Sequence, residues 1–458
     1  MNKVSYYYNL IFFKDFYLSI LWLVILLGIN VNISYLDVSN NENLLEWTYS
    51  IRGYLQFVVL IFLIYKNFFI FNDLRNINNF FILFFLYNLV QIYSLILSNN
   101  DNYNIIYNIL ALNVLLFFNI IFIKRKKEVQ KILYFSTLLI TFVYLSFLME
   151  YLYNLIVKDH IFYGHFSLKS NLMPVMNMPR SSGIGRMALL IFLFYIIFFD
   201  LNKIKNKFFL FFLFFLVTPV IFLTQSRAVV GIYILIILVI SFSKYFKLYN
   251  LQFNNFKKNF VIFIIIPLII SFLVTQLKPS NLNYYKDNLN YYKDFYFKVI
   301  NVNDTENLKL NKVKTKLKIL RTQSPSSFTS YRTRDWKELI KKTKSTQSVL
   351  IGNGTQADRF LIKQTASNAT LYFYASAGVI GLLIYAMIII NIVIILVKKI
   401  NYLRKSSYKD NKFTYAVFVI FALLIRGLVE SSYALFGIDY IFFIIALYFI
   451  NYDTKTQS

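Results

Sequence analysis

The sequence predicts an all-α polytopic membrane protein with about twelve transmembrane helices and a large, partly helical extracytoplasmic loop. Hydrophobic residues make up 58% of the 458 residues, charged residues only 15%, and the mean hydropathy is +0.55. A chain of this composition has too little polar surface for most of it to face water. The apolar residues are also grouped into runs of the length that a membrane-crossing helix needs.

These apolar runs define the predicted helices, since each is long enough to cross about 30 Å of hydrocarbon. They lie at roughly 17–36, 54–72, 78–98, 103–123, 131–157, 184–200, 207–224, 228–243, 260–277, 369–397, 412–429 and 436–451. The first run is too long for a signal-peptide core and lacks a small-residue cleavage site, so we interpret it as a retained signal anchor. The chain then divides into a membrane domain of helices 1–9 (1–277), an outer loop (278–368) and a membrane domain of helices 10–12 (369–458).

The basic residues predict the orientation of the helices. Lysines and arginines are concentrated in alternate short connections, at 124–131, 203–207, 244–258 and 398–412. Under the positive-inside rule these connections and both termini are cytoplasmic. The connections 158–183 and 278–368 then face outward. The net charge of +27 follows from this topology and from attraction to anionic lipid head groups, so nucleic acid is not predicted as a partner.

The outer loop is too long to be a simple connection. It contains NLNYYKD twice, at 281–287 and 288–294, and a basic stretch at 310–321 in which leucines and a valine recur at helical spacing. The repeated tyrosines fit either stacking on sugar rings or a belt at the lipid interface, and the interface is the favoured interpretation. The basic stretch is typical of a helix that lies on a membrane surface.

Arginines on the outward side are the strongest functional signal. Arg180 and Arg186 bracket the turn into the sixth helix, Arg227 follows a very short turn, and Arg426 lies near the outer end of the eleventh helix with Glu430 four residues later. An arginine at a helix end often only reaches into the interface. Outward-facing arginines are not explained by topology, however, and several together would hold a diphosphate, because a guanidinium group matches phosphate oxygens.

A second group of polar residues precedes the long apolar helix at 369–397. Its candidate members are Arg332, Arg334, Asp358, Arg359 and Asn368. Without a suitably placed histidine, Asp358 and Glu430 are the candidates for a general base. The alternative is that both carboxylates are structural partners, of Arg359 and Arg426 respectively. The two histidines, at 160 and 165, match no strong metal-binding pattern.

The order of these motifs carries a family resemblance. PRSSGIGR (179–186), TQSR (224–227), IGNGTQADR (351–359), ASNATLYFYASAGVIGLL (366–383) and IRGLVESSY (425–433) follow one another as in the O-antigen polymerase and O-antigen ligase superfamily. The chain resembles that superfamily over roughly residues 174–440. Separately these motifs are weak, and their order together with the topology is moderately specific.

The resemblance implies a GT-C-like glycosyltransferase of the bacterial inner membrane, whose active site faces the periplasm or cell exterior. Members use undecaprenyl-diphosphate-linked glycans and need no metal, nucleotide sugar or other cofactor. In the ligase branch the step before the long helix reads His-Asn, whereas this chain has Ser367 and Asn368. That difference favours the polymerase branch, which joins repeat units into O-antigen or capsular polysaccharide. A chain-length regulator would then be a candidate partner beside the lipid bilayer.

Carried over by position, the resemblance implies that Arg227 and either Arg186 or Arg180 hold the donor diphosphate. The remaining arginines and Asn368 would contact the glycan substrates. Three alternatives stay open: a ligase that transfers the glycan to another acceptor, a flippase for lipid-linked oligosaccharides, and a non-catalytic membrane scaffold. A flippase should have short outer loops and charges within its helices, and a scaffold would not need the outer arginines.

Overall fold

The described part of the chain is mostly helical. The computed structural model describes residues 79–98, 105, 108–116, 137–138, 140–142, 144–145, 148–149, 181–198, 215, 217–223, 227–241, 264–276, 332–345, 349–362, 365–405 and 411–455. No strand occurs among these residues. The predicted all-α class is therefore confirmed for this part of the chain.

The longer helices are labelled here in chain order. They are α1 (Asn79–Ser98), α2 (Ser181–Phe198), α3 (Arg227–Ser241), α4 (Ile266–Gln276), α5 (Arg332–Ser345), α6 (Ala357–Ile362), α7 (Ala369–Lys405), α8 (Asn411–Gly427) and α9 (Ile438–Lys455). A short 3-10 turn, Ser432–Ala434, connects α8 to α9. These bounds agree with the predicted runs at 78–98, 184–200, 228–243, 412–429 and 436–451 to within a few residues.

Helix α9 lies at the centre of the packing. Its sequence from Asp439 to Ile450 is apolar on every side, and each residue of this stretch is buried. A helix that is apolar all round is stable only when neighbours cover it completely. Here α8 packs along α9, and α2 and α3 pack against α8 in turn. Asp439, the one acidic residue of this stretch, is therefore buried together with the apolar residues that follow it.

Helix α7 is the second organising element, and it contacts α1, α5, α6 and α9. The sequence predicts one continuous helix over 369–397, but the helix is broken at Ala377 and Gly378. Gly378 has φ +63, which costs little in glycine because it has no Cβ. The backbone groups freed by this break are bonded by the preceding segment 349–354.

Segment 349–354 pairs with both sides of the break. The N–H groups of Asn353 and Gly354 donate to the carbonyls of residues 375 and 376, both at 2.9 Å. The N–H groups of residues 379 and 380 donate to the carbonyls of Val349 and Leu350 at 3.0 and 3.1 Å. A Cβ on Gly352 would lie 2.5 Å from the amide nitrogen of Ala377. The absence of a side chain at Gly352 therefore permits this close contact.

Two helices of the described part are long and apolar enough to cross a membrane, judged by length and composition. They are Asn79–Ser98, with mean hydropathy 2.1, and Ala369–Lys398, with mean hydropathy 3.0. The apolar parts of α2, α3, α8 and α9 are shorter. The count of twelve helices stays a prediction, since runs such as 17–36 and 54–72 lie outside the described residues.

Candidate functional site

Two predicted arginines meet at a carboxylate that begins the central helix. Asp439 Oδ2 accepts a hydrogen bond from Arg426 Nε at 3.0 Å, and Asp439 Oδ1 lies 3.3 Å from Arg186 Nη1. Ser432 Oγ donates to the same Oδ2 at 3.0 Å. The Arg186–Asp439–Arg426 group, called the buried cluster below, therefore joins α2, α8 and α9 at one end.

The buried cluster has more positive charge than its carboxylate neutralises. The side chain of Asp439 is 2% exposed, that of Arg426 8% and that of Arg186 23%. Two guanidinium groups and one carboxylate leave a net charge of +1. Within the described part of the chain, Arg186 Nε and Arg426 Nη1 are buried and have no hydrogen-bond acceptor, and Asp439 Oδ1 has only the ion-pair contact with Arg186. Such donors are costly unless an acceptor reaches them, so the cluster is suited to an anionic ligand.

A second ion pair lies beside the buried cluster and is more exposed. Arg332 Nη2 is 3.3 Å from Glu430 Oε1, and Arg332 Nη1 donates to the carbonyl of Val429 at 2.6 Å. The side chains of Arg332 and Glu430 are 38% and 29% exposed. Glu430 also interacts electrostatically with Arg186. Helix α5 therefore contributes a residue, Arg332, to the same corner of the protein.

The alternative in which Glu430 is the structural partner of Arg426 is not found. The two residues are four apart in sequence, but α8 ends at Gly427. The chain then turns, and the N–H of Glu430 donates to the carbonyl of Arg426 at 2.8 Å. This turn directs Glu430 to Arg332, whereas Arg426 is bound by Asp439.

Asn368 fixes the start of α7 and the turn after α8 together. Its Oδ1 accepts from the N–H of Leu371 at 3.0 Å, which is an N-cap bond, and its Nδ2 donates to the carbonyl of Leu428 at 3.0 Å. The residue before it, Ser367, has φ +48, a left-handed conformation that is uncommon for serine. The Ser367-Asn368 step, where the resemblance places a ligase histidine, therefore adjoins the turn that carries Glu430.

Asp358 is a buried carboxylate held by backbone donors. It is 2% exposed, and it accepts from the N–H of Ala366 at 2.6 Å and the N–H of Arg359 at 2.9 Å. Burial raises its pKa above the usual value, and the bond from Ala366 only partly opposes this. Trp336 Nε1 donates to the carbonyl of Ala366 at 2.7 Å. Asp358 and Trp336 therefore hold the chain that leads into Ser367.

The remaining predicted site residues are either exposed or lie partly or wholly outside the described residues. Arg334 and Arg359 are exposed on α5 and α6, and Arg359 Nη1 donates to Gln356 Oε1 at 3.3 Å. Arg227 is the first residue of α3, and its side chain lies outside the described residues. Arg180, the two histidines, the tyrosine repeat at 281–294 and the basic stretch at 310–321 also lie outside them.

Sequence reasoning missed Asp439 and Ser432. A carboxylate inside the apolar run 436–451 is itself a signal, because an ionisable residue in such a run is usually paired or functional. The partner arginines could not be identified from spacing, since Arg186 lies 253 residues away in the chain, the difference between 439 and 186. Ser432 carries no comparable signal.

The site has no candidate metal centre in the part that the structure describes. No group of three or more histidine, cysteine, aspartate or glutamate residues there could hold an ion. Comparison of the chain with protein-family models, with curated proteins and with solved structures finds no match.

Proposed function

We propose that the chain is a membrane glycosyltransferase that joins undecaprenyl-diphosphate-linked oligosaccharide repeat units into a polysaccharide, O-antigen or capsule. The observation that carries the proposal is the buried cluster. It has two guanidinium groups for one carboxylate, and two of its buried donors have no acceptor among the described residues. A diphosphate supplies the oxygens and the negative charge that this arrangement lacks.

A membrane location is supported by an exposed apolar face of α7. Leu383, Ile390 and Val397 are spaced seven residues apart, so they lie on nearly the same face. Their exposed fractions are 59%, 57% and 52%. A continuous apolar face of this kind is unfavourable in water and matches lipid. The predicted topology then assigns the corner with the arginines to the outer leaflet.

The proposed reaction is a transfer between two lipid-linked glycans. A terminal hydroxyl oxygen of the acceptor forms a bond to the anomeric carbon of the donor glycan, and the bond from that carbon to the diphosphate oxygen breaks. The electron pair of the broken bond leaves on undecaprenyl diphosphate. Arg186 and Arg426 stabilise the negative charge that develops there, as fixed cations do for phosphate leaving groups.

Glu430 is the better candidate for accepting the proton of the acceptor hydroxyl. Its side chain is 29% exposed, and among the described residues its Oε1 has one ion-pair partner, Arg332. Asp358 is 2% exposed, and both of its oxygens accept from backbone N–H groups. A general base must reach the substrate proton, directly or through one water. The exposed carboxylate satisfies this condition better than the buried one.

A ladder of longer glycans from purified protein tests the proposal. The protein in detergent is mixed with lipid-linked repeat units without metal or nucleotide, and products are separated by size. We expect a ladder with the wild type, and none with Arg186→Ala or Arg426→Ala. Glu338→Gln is the matched control, because it removes a carboxylate from an ion pair with Lys342 at the surface of α5.

The same assay distinguishes the alternatives. A ligase would move whole glycans to a different acceptor and leave single repeat units unjoined. A flippase would make no new bond and would instead move lipid-linked units across a vesicle bilayer. Normal chains from both arginine variants would show that the buried cluster does not hold the donor.

A further inference from the structure

Asp439 is the residue on which both arginines of the buried cluster converge. Its Oδ1 faces Arg186 of α2 and its Oδ2 accepts from Arg426 of α8. The two guanidinium groups are close enough to repel each other. Because they come from helices separated widely in sequence, their relative position depends on the shared carboxylate between them.

The geometry leaves unused donors on both arginines. Arg186 Nε and Arg426 Nη1 are buried without an acceptor among the described residues. Arg426 Nε donates to Asp439 Oδ2, and Arg186 Nη1 makes an ion-pair contact with Oδ1 at 3.3 Å. The carboxylate therefore fixes one edge of each guanidinium group and leaves another edge unpaired. Ser432 holds the carboxylate itself through the bond to Oδ2.

We propose that Asp439 is a positioning residue that holds Arg186 and Arg426 at the separation needed to bind the diphosphate of a lipid-linked glycan. This inference rests on the proposed function for the identity of the ligand, and it adds a residue that was not among the predicted site residues. Asp439 acts through the two arginines and does not touch the substrate.

When Asp439 is replaced, the positioning role and the net charge predict opposite changes in the affinity for an anion. Removing the carboxylate raises the net charge of the cluster from +1 to +2, and charge alone would then strengthen binding of an anion. If Asp439 positions the arginines, its removal lets them separate and binding weakens. The direction of the change therefore decides between the two roles.

Binding of inorganic diphosphate to the purified protein, measured by calorimetry in detergent without metal, is the first test. We expect Asp439→Asn to weaken binding about tenfold or more, the size of one lost hydrogen bond between charged groups. Asp439→Glu should restore part of it, and Glu338→Gln should change nothing. Unchanged or tighter binding by Asp439→Asn, or no binding by the wild type, would overturn the inference.

A milder variant covers the case in which Asp439→Asn does not fold. Ser432→Ala removes only the bond that orients the carboxylate, and we expect it to weaken diphosphate binding about threefold, a fraction of the loss for a charged pair. In the glycan assay both variants should lower kcat per folded molecule more than they change KM, because the leaving-group charge develops in the transition state. A purely structural role would lower only the amount of folded protein.

The diphosphate-binding and glycan-ladder results together distinguish failure of this inference from failure of the proposed function. A wild type that makes the glycan ladder while Ser432→Ala and Asp439→Asn bind diphosphate normally would overturn the role of Asp439 and leave the polymerase proposal intact. A wild type that binds diphosphate in an Asp439-dependent manner but makes no ladder would overturn the polymerase proposal and support the inference.

Discussion

Two arginine–carboxylate groups flank the turn after α8, and they differ in how much water reaches them. In the buried cluster the side chains of Arg426 and Asp439 are 8% and 2% exposed, whereas those of Arg332 and Glu430 are 38% and 29% exposed. A buried charge that loses its partner stays unsolvated, but an exposed charge is solvated by water. The two groups are therefore expected to tolerate loss of a partner very differently.

The largest difference should appear when one arginine is removed from each group. Arg426→Ala should lower the free energy of unfolding by about 3 kcal/mol, the low end for breaking a buried pair, because Arg186 still contacts Asp439. Arg332→Ala should lower it by less than about 1 kcal/mol. Unfolding of the two proteins in the same detergent, followed by tryptophan fluorescence or circular dichroism, measures both values.

An equal loss in the two variants would contradict the comparison. Lys342→Ala is the matched control for a cation at the surface, because its pair with Glu338 has both side chains more than two-fifths exposed, at 45% and 42%. Its effect should resemble that of Arg332→Ala.

Replacing Asn368, which bonds the start of α7 to the turn between the two groups, should lower the free energy of unfolding by less than Arg426→Ala does. Asn368→Ala removes the N-cap bond to Leu371 and the bond to the carbonyl of Leu428. We expect a loss of about 1 to 2 kcal/mol, typical of an N-cap residue. Asn368→Asp keeps the cap acceptor and loses only the donor, so it should retain most of the stability. If Asn368→Asp is as unstable as the alanine variant, the cap is not the main contribution.

Asp358 provides a third carboxylate for the comparison, one that is buried and held by backbone N–H donors in place of an arginine. Its raised pKa means that the folded state binds this proton more tightly than the unfolded state. This contribution to stability is present at low pH and is lost as pH rises from about 3.9, the ordinary aspartate value, through the raised pKa. Asp358→Asn keeps an oxygen acceptor for the N–H of Ala366 and should remove that pH dependence. Stability curves that remain parallel across this window would contradict the prediction.

The smallest expected effect is the change with salt concentration in the coupling energy between Arg332 and Glu430. A double-mutant cycle of Arg332→Ala and Glu430→Gln should give a coupling energy of about 0.2 to 1 kcal/mol, as for exposed pairs. Raising the ionic strength from about 0.1 M to 1 M shortens the screening length from about 10 Å to 3 Å and should reduce this coupling. The corresponding cycle of Arg426→Ala and Asp439→Asn should be unaffected. Equal salt dependence would show that the two groups are solvated alike.

Sequence reasoning located the helices better than the side-chain partners. Apolar runs gave the ends of α1, α2, α3 and α8 to within a few residues, because apolar length determines where such a helix begins and ends. Convergence of outward arginines was expected, but the pair assigned to the diphosphate was Arg227 with Arg186 or Arg180, and the meeting of Arg186 with Arg426 was not singled out. The suggested partner of Arg426, Glu430, lies elsewhere, since the end of α8 at Gly427 depends on the turn that follows and on its packing.

The break in α7 could not be predicted for a related reason. Gly378 is one of several small residues in the run that begins at residue 369, and an isolated glycine does not by itself end a helix. The break is stabilised by segment 349–354, whose backbone bonds replace those lost within the helix. This pairing joins residues 22 to 30 positions apart in the chain, beyond the reach of a local pattern such as helical periodicity.

The pairing of segment 349–354 with α7 also fixes the register of these two stretches. Two donors and two acceptors of the segment must meet their partners at once, so inserting a single residue between Leu350 and Asn353 would shift one pair of bonds relative to the other. Segment 349–354 is thus constrained in length as well as in sequence.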